Sequence, residues 1–291
     1  MGEADHENEG PVEENEDPVE EAYLAAYQKK DYAKAKRVVQ QAIDEILPHY
    51  PANEEKEFHN ARSLMEIVLF NYHFAPKKEV VIIEEPIASY YRMYGSVLMD
   101  ENNFPLARGC FARGLEWDPV DFTIFSEYAE TFKMQGEMDS FEHLTRMAYK
   151  YAYTSEMLAR VYRNLGYCFT EKGLYVASSA CYQLSLAYEP HNKNALNELE
   201  YIASKMELEL KPLSNDRLHE VAKKHDIPLG ADDDVLGLSR YLGEKSLKEG
   251  EKDKARYYYE VLYDLTGSAD VKTILEQIDA AQKDDGKSRK N

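Results

Sequence analysis

The sequence predicts an all-α fold built from antiparallel helix hairpins, and three observations carry that expectation. Between Ile87 and Pro119, the residues Tyr91, Tyr94, Gly95 and Leu98 recur at i, i+3, i+4 and i+7, the stripe of one helical face. Ala107, Phe111 and Gly114 repeat that rhythm on a second helix; the polar turn Asp100-Glu-Asn-Asn103 separates the two, and Pro119 blocks continuation. Glycines stand inside both helices, although each costs a helix about 1 kcal/mol relative to alanine. A glycine at 95 facing the small Ala107 lets two backbones approach closely while aromatic rings fill the space on either side, so helix propensity yields to interhelical packing.

Numbered from Ala88, the eighth residue is Gly95, the twentieth Ala107, the twenty-fourth Phe111 and the thirty-second Pro119. In this the unit resembles the tetratricopeptide repeat, a 34-residue helix-turn-helix with the pattern W-x2-L-G-x2-Y, then A-x3-F, then P. A second copy starts at Ala159, with Tyr162, Leu165, Gly166, Phe169, Gly173, Tyr182 and Pro190, departing at Ser178 and Ser185 where alanine is usual. Between them Phe125, Tyr128, Ala129, Phe132 and Gly136 fill the first helix of a degenerate unit, but Phe141 and Thr145 stand where its small and aromatic residues belong, which predicts a splayed hairpin. A fourth match begins near Leu236, with Leu242, Gly243, Gly250, Ala255 and Tyr259, and Gly267 where proline is common; Tyr32 and Ala35 to Ala42 suggest a fifth, divergent unit.

The resemblance implies a right-handed superhelical solenoid of antiparallel helix pairs. It divides the chain into an acidic disordered tail (1–21), a divergent helical repeat region (22–86), three repeats with a following helix (87–210), an interruption between Pro212 and Pro228 holding a short helix (211–235), a last repeat with its polar-faced capping helix (236–282), and a second disordered tail (283–291).

Composition narrows the function. The net charge of −19 is uneven: residues 1–21 hold ten of the 54 acidic residues and none of the 35 basic ones, so the remaining chain carries −9. Nucleic acid is excluded as a partner for want of a basic footprint. Apolar runs such as Ile67 to Phe70 and Val80 to Ile83 fall far short of the roughly 20 residues that cross a bilayer, and the amino end is acidic rather than basic, so no membrane partner and a cytoplasmic location are expected. Cys110, Cys168 and Cys181 form no CxxC and read as reduced thiols packed as small hydrophobes.

Motifs for chemistry fail on spacing. In His219-Glu-Val-Ala-Lys-Lys-His225 the histidines are six apart, about 240° around a helix, and cannot converge on one zinc ion. Asp232-Asp-Asp-Val-Leu-Gly237 starts like a calcium loop but has Gly243 where the bidentate glutamate belongs. Gly237 to Ser246 is one residue too long between glycines for a phosphate-binding loop, and His59 and His73, on one helix, would lie about 21 Å apart. No metal, cofactor or catalytic residue is predicted.

In proteins of the resembled family the first helices line a concave channel. Carried over by register, that lining comprises Arg92, Met93, Ser96 and Met99, then Glu127, Glu130 and Lys133, then Arg160, Arg163, Asn164 and Tyr167. The mixture of charges suits a peptide. Members that grip a chaperone carboxyl terminus use a five-residue clamp whose slots here are Arg92, Ser96, Glu127, Arg160 and Asn164; Glu127 would oppose a ligand carboxylate. The expectation is a non-enzymatic scaffold or adaptor binding a peptide or helix of another protein. The alternatives are a peptide-sensing signalling regulator, which would carry an effector bundle at its amino end, and an enzyme, which would need polar groups converging in a deep pocket.

Overall fold

A computed structural model describes residues 17–51, 53–207 and 211–288. Helices dominate, and their starts are written locally. Asp17 caps α1 (Pro18–Gln28), Asp31 caps α2 (Tyr32–Ile46), Asp121 caps α6 (Phe122–Lys133) and Thr154 caps α8 (Ser155–Glu171), each side chain accepting a backbone N–H of the first turn. The helices α4 (Ile87–Asp100), α5 (Phe104–Trp117), α7 (Met138–Tyr149), α9 (Tyr175–Tyr188) and α10 (Lys193–Met206) complete the central stack. The pairs α1–α2, α4–α5, α6–α7 and α8–α9 are antiparallel hairpins, and the second helix of each packs on the first helix of the next, with α10 closing the row.

One backbone device makes all these turns. Lys30, Asn102, Gly136 and Gly173 take positive φ (58°, 59°, 74° and 70°) at the same place in successive hairpins, and each donates its N–H to the carbonyl three residues earlier. Glycine reaches this left-handed region without strain and asparagine at little cost. Gly250 (φ 79°) repeats it between α12 (Asp233–Glu249) and α13 (Lys252–Thr266).

The mid-helix glycines make room for a ring, a contact the sequence reading had not assigned. A Cβ on Gly95 would lie 2.7 Å from the Phe111 ring, on Gly166 2.9 Å from the Tyr182 ring, and on Gly243 3.0 Å from the Tyr259 ring. The partner of the eighth residue is therefore the aromatic at the twenty-fourth, lying across the glycine, while Ala107 and Ala255 are fully buried beside it. Gly114 serves the next junction, where Ile124 of α6 would meet its Cβ at 2.9 Å. Pro119 and Pro190 fall in the turns before α6 and α10. The middle hairpin is closed rather than splayed: its ring has moved one turn back to Phe141, fully buried against Ala129 and Cys168, and buried Thr145 supplies the small residue.

Residues 22–86 depart from a purely helical repeat region. After α1 and α2 the chain forms β1 (Lys56–His59), α3 (Leu64–Phe74) and β2 (Glu79–Ile82), with β1 and β2 paired in parallel, Phe58 opposite Val81. The short β-branched run Val80-Val-Ile82 favours a strand, and α3 provides the crossover that a parallel pair requires. His59 thus lies on a strand, its ring centroid 4.4 Å from that of Phe70, so no single helix separates it from His73. Asn60 fastens this insertion: its side-chain amide donates to the carbonyls of Ile83 and Glu85, and its oxygen accepts from Ala88 N–H at the start of α4.

The tail boundaries also shift. Asp17 and residues 18–21 belong to the capped start of α1, and residues 1–16 lie outside the described residues. α14 (Ala269–Ser288) carries helix beyond 282, and residues 289–291 lie outside the described residues.

The last hairpin turns back onto the earlier part of the chain. α11 (Asn215–His225) packs on α9, and residues 226–232 cross α7 and α8: Arg146 donates to the Asp226 carbonyl, and Tyr162 Oη accepts from Gly230 N–H at 2.9 Å and donates to the Pro228 carbonyl at 3.0 Å. α12 and α13 then rest on α3 and the start of α8. Tyr257 Oη accepts from Met65 N–H at 3.1 Å, Tyr72 donates to Asp234 at 2.9 Å, and Asp264 accepts from both Ser155 N–H and Oγ–H. Met65, Leu69, Tyr153, Leu158, Val261 and Leu265 share the resulting core. The imitation calcium loop is the cap of α12, with Asp232 accepting from Asp234 N–H.

Candidate functional site

The first helices α6, α8 and α10 border a cleft of about 450 Å³ that gathers Lys133, Arg160, Arg163, Asn164, Tyr167 and Glu198. Four of the residues named from the sequence, Arg160, Arg163, Asn164 and Tyr167, meet here because positions two, five, six and nine of the repeat numbered from Ala159 share one face of α8. The side chains are half-buried, held in place yet open to solvent.

The charges in this cleft are partnered. Arg160 Nη2 lies 3.2 Å from Glu127 Oε1, Lys133 Nζ 2.9 Å from Glu130 Oε1, and Arg163 pairs with Glu189 while also donating to Ser185. Lys133 Nζ sits 4.6 Å from the Tyr167 ring centroid, a cation–π contact, and burial pushes the Tyr167 hydroxyl above its ordinary pKa. Asn164 is different: its side-chain amide makes no hydrogen bond among the described residues, leaving two donors and an acceptor for a ligand.

Arg92 and Ser96 lie further along, on α4, and do not line this cleft. Ser96 Oγ bonds back to the Arg92 carbonyl at 3.0 Å, and the buried Arg92 Nε has no partner among the described residues. Met93 and Met99, expected to line the groove, are buried instead. Met93 packs among Tyr23, Val39 and Val97 because the α1–α2 hairpin lies against that face of α4, with Tyr23 Oη donating to the Met93 carbonyl.

A second polar cluster went unread in the sequence. Glu66 on α3 and Asp118 and Asp121 in the α5–α6 turn are all essentially inaccessible to solvent (0%, 1% and 1%), and the Arg62 guanidinium pairs with two of them. Arg62 Nη2 reaches Asp121 at 3.1 Å and Glu66 at 3.6 Å; its backbone N–H and Tyr153 Oη both donate to Glu66. Burial pushes the Asp118 pKa up to about 8, with the Glu66 and Asp121 charges adding to it, and burial likewise raises Glu66. The available signal was Glu66 itself, a lone carboxylate inside the apolar run Leu64-Met-Glu-Ile-Val-Leu-Phe70.

The cysteines carry no sign of activation. Burial pushes Cys110 up to about 11 and Cys168 up to about 12 and raises Cys181, the reverse of a nucleophilic thiol. His219 is exposed and bonded to the Asn215 carbonyl, while His225 faces Phe169. No described helix is long and apolar enough to cross a membrane.

No family model and no curated protein matches the chain. Solved structures similar to it include the pilF protein of Pseudomonas aeruginosa, at 13% identity over 90% of this chain and 97% of that one, TM-score 0.47. The second TPR domain of human RPAP3, solved with an HSP70 peptide, is 21% identical over 40% of this chain and 93% of that one, TM-score 0.36. The TPR2AB domain of yeast Sti1, in its pHSP90 complex, is 13% identical over 62% of this chain and 65% of that one, TM-score 0.39. Likenesses this distant transfer no residue roles, and the hairpin architecture rests on the chain's own turns and ring contacts.

Proposed function

We propose that this chain is a non-enzymatic interaction scaffold that takes an extended peptide segment of a partner protein along the face formed by α6, α8 and α10. The observation that carries the reading is the convergence of Asn164, with an unspent amide, on a cleft walled by Arg160, Arg163, Lys133 and Tyr167. An extended peptide offers backbone donors and acceptors to the amide, an aliphatic or planar side chain to the Tyr167 face, and charges of either sign that exchange with the local ion pairs. The arrangement favours a segment of mixed charge over a uniform polyanion, because every cation in the cleft already faces a carboxylate.

The alternative of a peptide-sensing regulator asks for an effector unit at the amino end. Residues 17–86 hold one hairpin stacked on α4 and one β-α-β insertion built into the core. The raised cysteine pKa values weigh against a thiol enzyme.

Peptides selected by the full chain from a random display library test the assignment. Selected peptides are expected to share a mixed-charge motif and to bind Asn164→Ala and Tyr167→Ala at least about tenfold more weakly, equivalent to about 1.4 kcal/mol. Equal binding to both variants would move the site elsewhere.

A further inference from the structure

Three buried carboxyl groups face one guanidinium, so ionising all three leaves a negative charge without a counterion, and one oxygen marks where it is unmet. Asp118 Oδ1 accepts from Val120 N–H at 3.3 Å, whereas the buried Oδ2 has no hydrogen-bond partner among the described residues. Native interiors rarely leave such an atom empty-handed. Asp118 lines a small cleft of about 110 Å³ between the β1–α3–β2 insertion and the α5–α6 turn, together with Asn60, Arg62, Glu84, Ser89 and Asp121. Three of the neighbours are already committed: Asn60 spends its amide on Ile83, Glu85 and Ala88, Arg62 serves Glu66 and Asp121, and Asp121 Oδ1 caps Ile124 N–H. Glu84, also in the lining, is exposed.

We propose that this cleft is a binding site for a primary ammonium group, brought either by a lysine side chain or by a small free amine. The group must be cationic, to offset that charge; compact, to enter 110 Å³; and an N–H donor, to meet Oδ2. A guanidinium is matched to two oxygens side by side, and Asp118 has only one to offer. Among the described residues no group of three or more His, Cys, Asp or Glu could hold a metal ion. An ammonium competes with the proton that Asp118 retains at neutral pH, so binding releases that proton and tightens as pH rises toward 8. The inference is independent of the groove on α6, α8 and α10.

The test is thermal unfolding of the full chain at pH 8 in equal concentrations of methylammonium chloride, Nα-acetyl-lysine methylamide hydrochloride, or tetramethylammonium chloride, the last a cation with no N–H donor. Methylammonium is expected to raise the midpoint by a few degrees over tetramethylammonium, and Asp118→Asn to abolish the difference. A matching rise with the lysine derivative assigns the site to a lysine side chain; a rise with methylammonium alone assigns it to a small free amine. Equal midpoints in all three salts, or a rise that survives Asp118→Asn, would overturn the proposal. Calorimetry of the unmodified chain in two buffers of different ionisation enthalpy gives a second readout that needs no variant. Proton release at pH 7 is expected on methylammonium binding, and heats independent of buffer would sink the assignment.

Discussion

Arg160 and Glu127 hold each other across the α6–α8 groove at 3.2 Å, so two of the five slots at which a clamp would grip a carboxyl terminus are already engaged. Both side chains are partly solvent-exposed (34% and 26%), which limits the worth of the pair, but a carboxylate bound at Arg160 would still face the Glu127 charge. The unmodified chain is therefore expected to show no micromolar binding to an acidic carboxyl-terminal peptide in a fluorescence-anisotropy titration. Glu127→Asn removes the opposing charge and frees Arg160, and should tighten that peptide by about tenfold or more. Micromolar binding before the substitution would contradict the account of the groove.

Glycine substitutions separate packing from propensity. Gly166 lies under the Tyr182 ring, which is 2% exposed and cannot swing into solvent, so Gly166→Val should cost about 1 to 3 kcal/mol and lower the melting temperature by several degrees. Gly109 also sits mid-helix, in α5, but nothing lies within 4 Å of an added Cβ. Gly109→Ala should instead gain about 0.5 to 1 kcal/mol from reduced backbone entropy of the unfolded chain. Similar effects at the two sites would show that ring contact is not what the repeat glycines serve.

The buried carboxylates make stability depend on pH in a stated direction. Asp118 has its folded-state pKa raised to about 8, above the ordinary value near 3.8. Its contribution is full below that ordinary value, where both states hold the proton. It declines as pH climbs, because the unfolded chain releases a proton that the folded chain keeps, and is lost once pH passes about 8. Asp118→Asn stays neutral and keeps an oxygen for Val120 N–H. The melting temperature of the variant should fall less between pH 4 and pH 8 than that of the unmodified chain, and an unchanged slope would remove Asp118 as the cause.

What the sequence made legible follows from contact range. The sixteen-residue separations Gly95–Phe111, Gly166–Tyr182 and Gly243–Tyr259 are made within one hairpin, so a local pattern suffices to place them. Register along α8 likewise brought Arg160, Arg163, Asn164 and Tyr167 to one wall, since a helix fixes its own faces. Glu66 and Asp118 are 52 residues apart and meet only when the insertion docks on the α5–α6 turn, a contact with no local periodicity to announce it. The strands are four residues each, too short for alternation to stand out. Met93 read as groove lining because its position was right; what buried it was a separate hairpin lying on α4.

The return path after α10 hangs on Tyr162. Its ring is fully buried, but its hydroxyl reaches out to bond Gly230 N–H and the Pro228 carbonyl, fastening the segment that carries the chain from the stack to α12. Tyr162→Phe keeps the ring and leaves those two backbone groups without that partner, a loss of about 1 to 3 kcal/mol. Because Arg146 and Tyr149 also hold residues 225–230, the segment should loosen rather than detach. Hydrogen exchange is expected to quicken over 226–236 and in the first turn of α12 while α4 and α5 keep their protection. A uniform quickening across the whole chain would mean that Tyr162 supports the stack itself, and that α12 and α13 are held by Met65, Tyr257 and Asp264 without need of the tether.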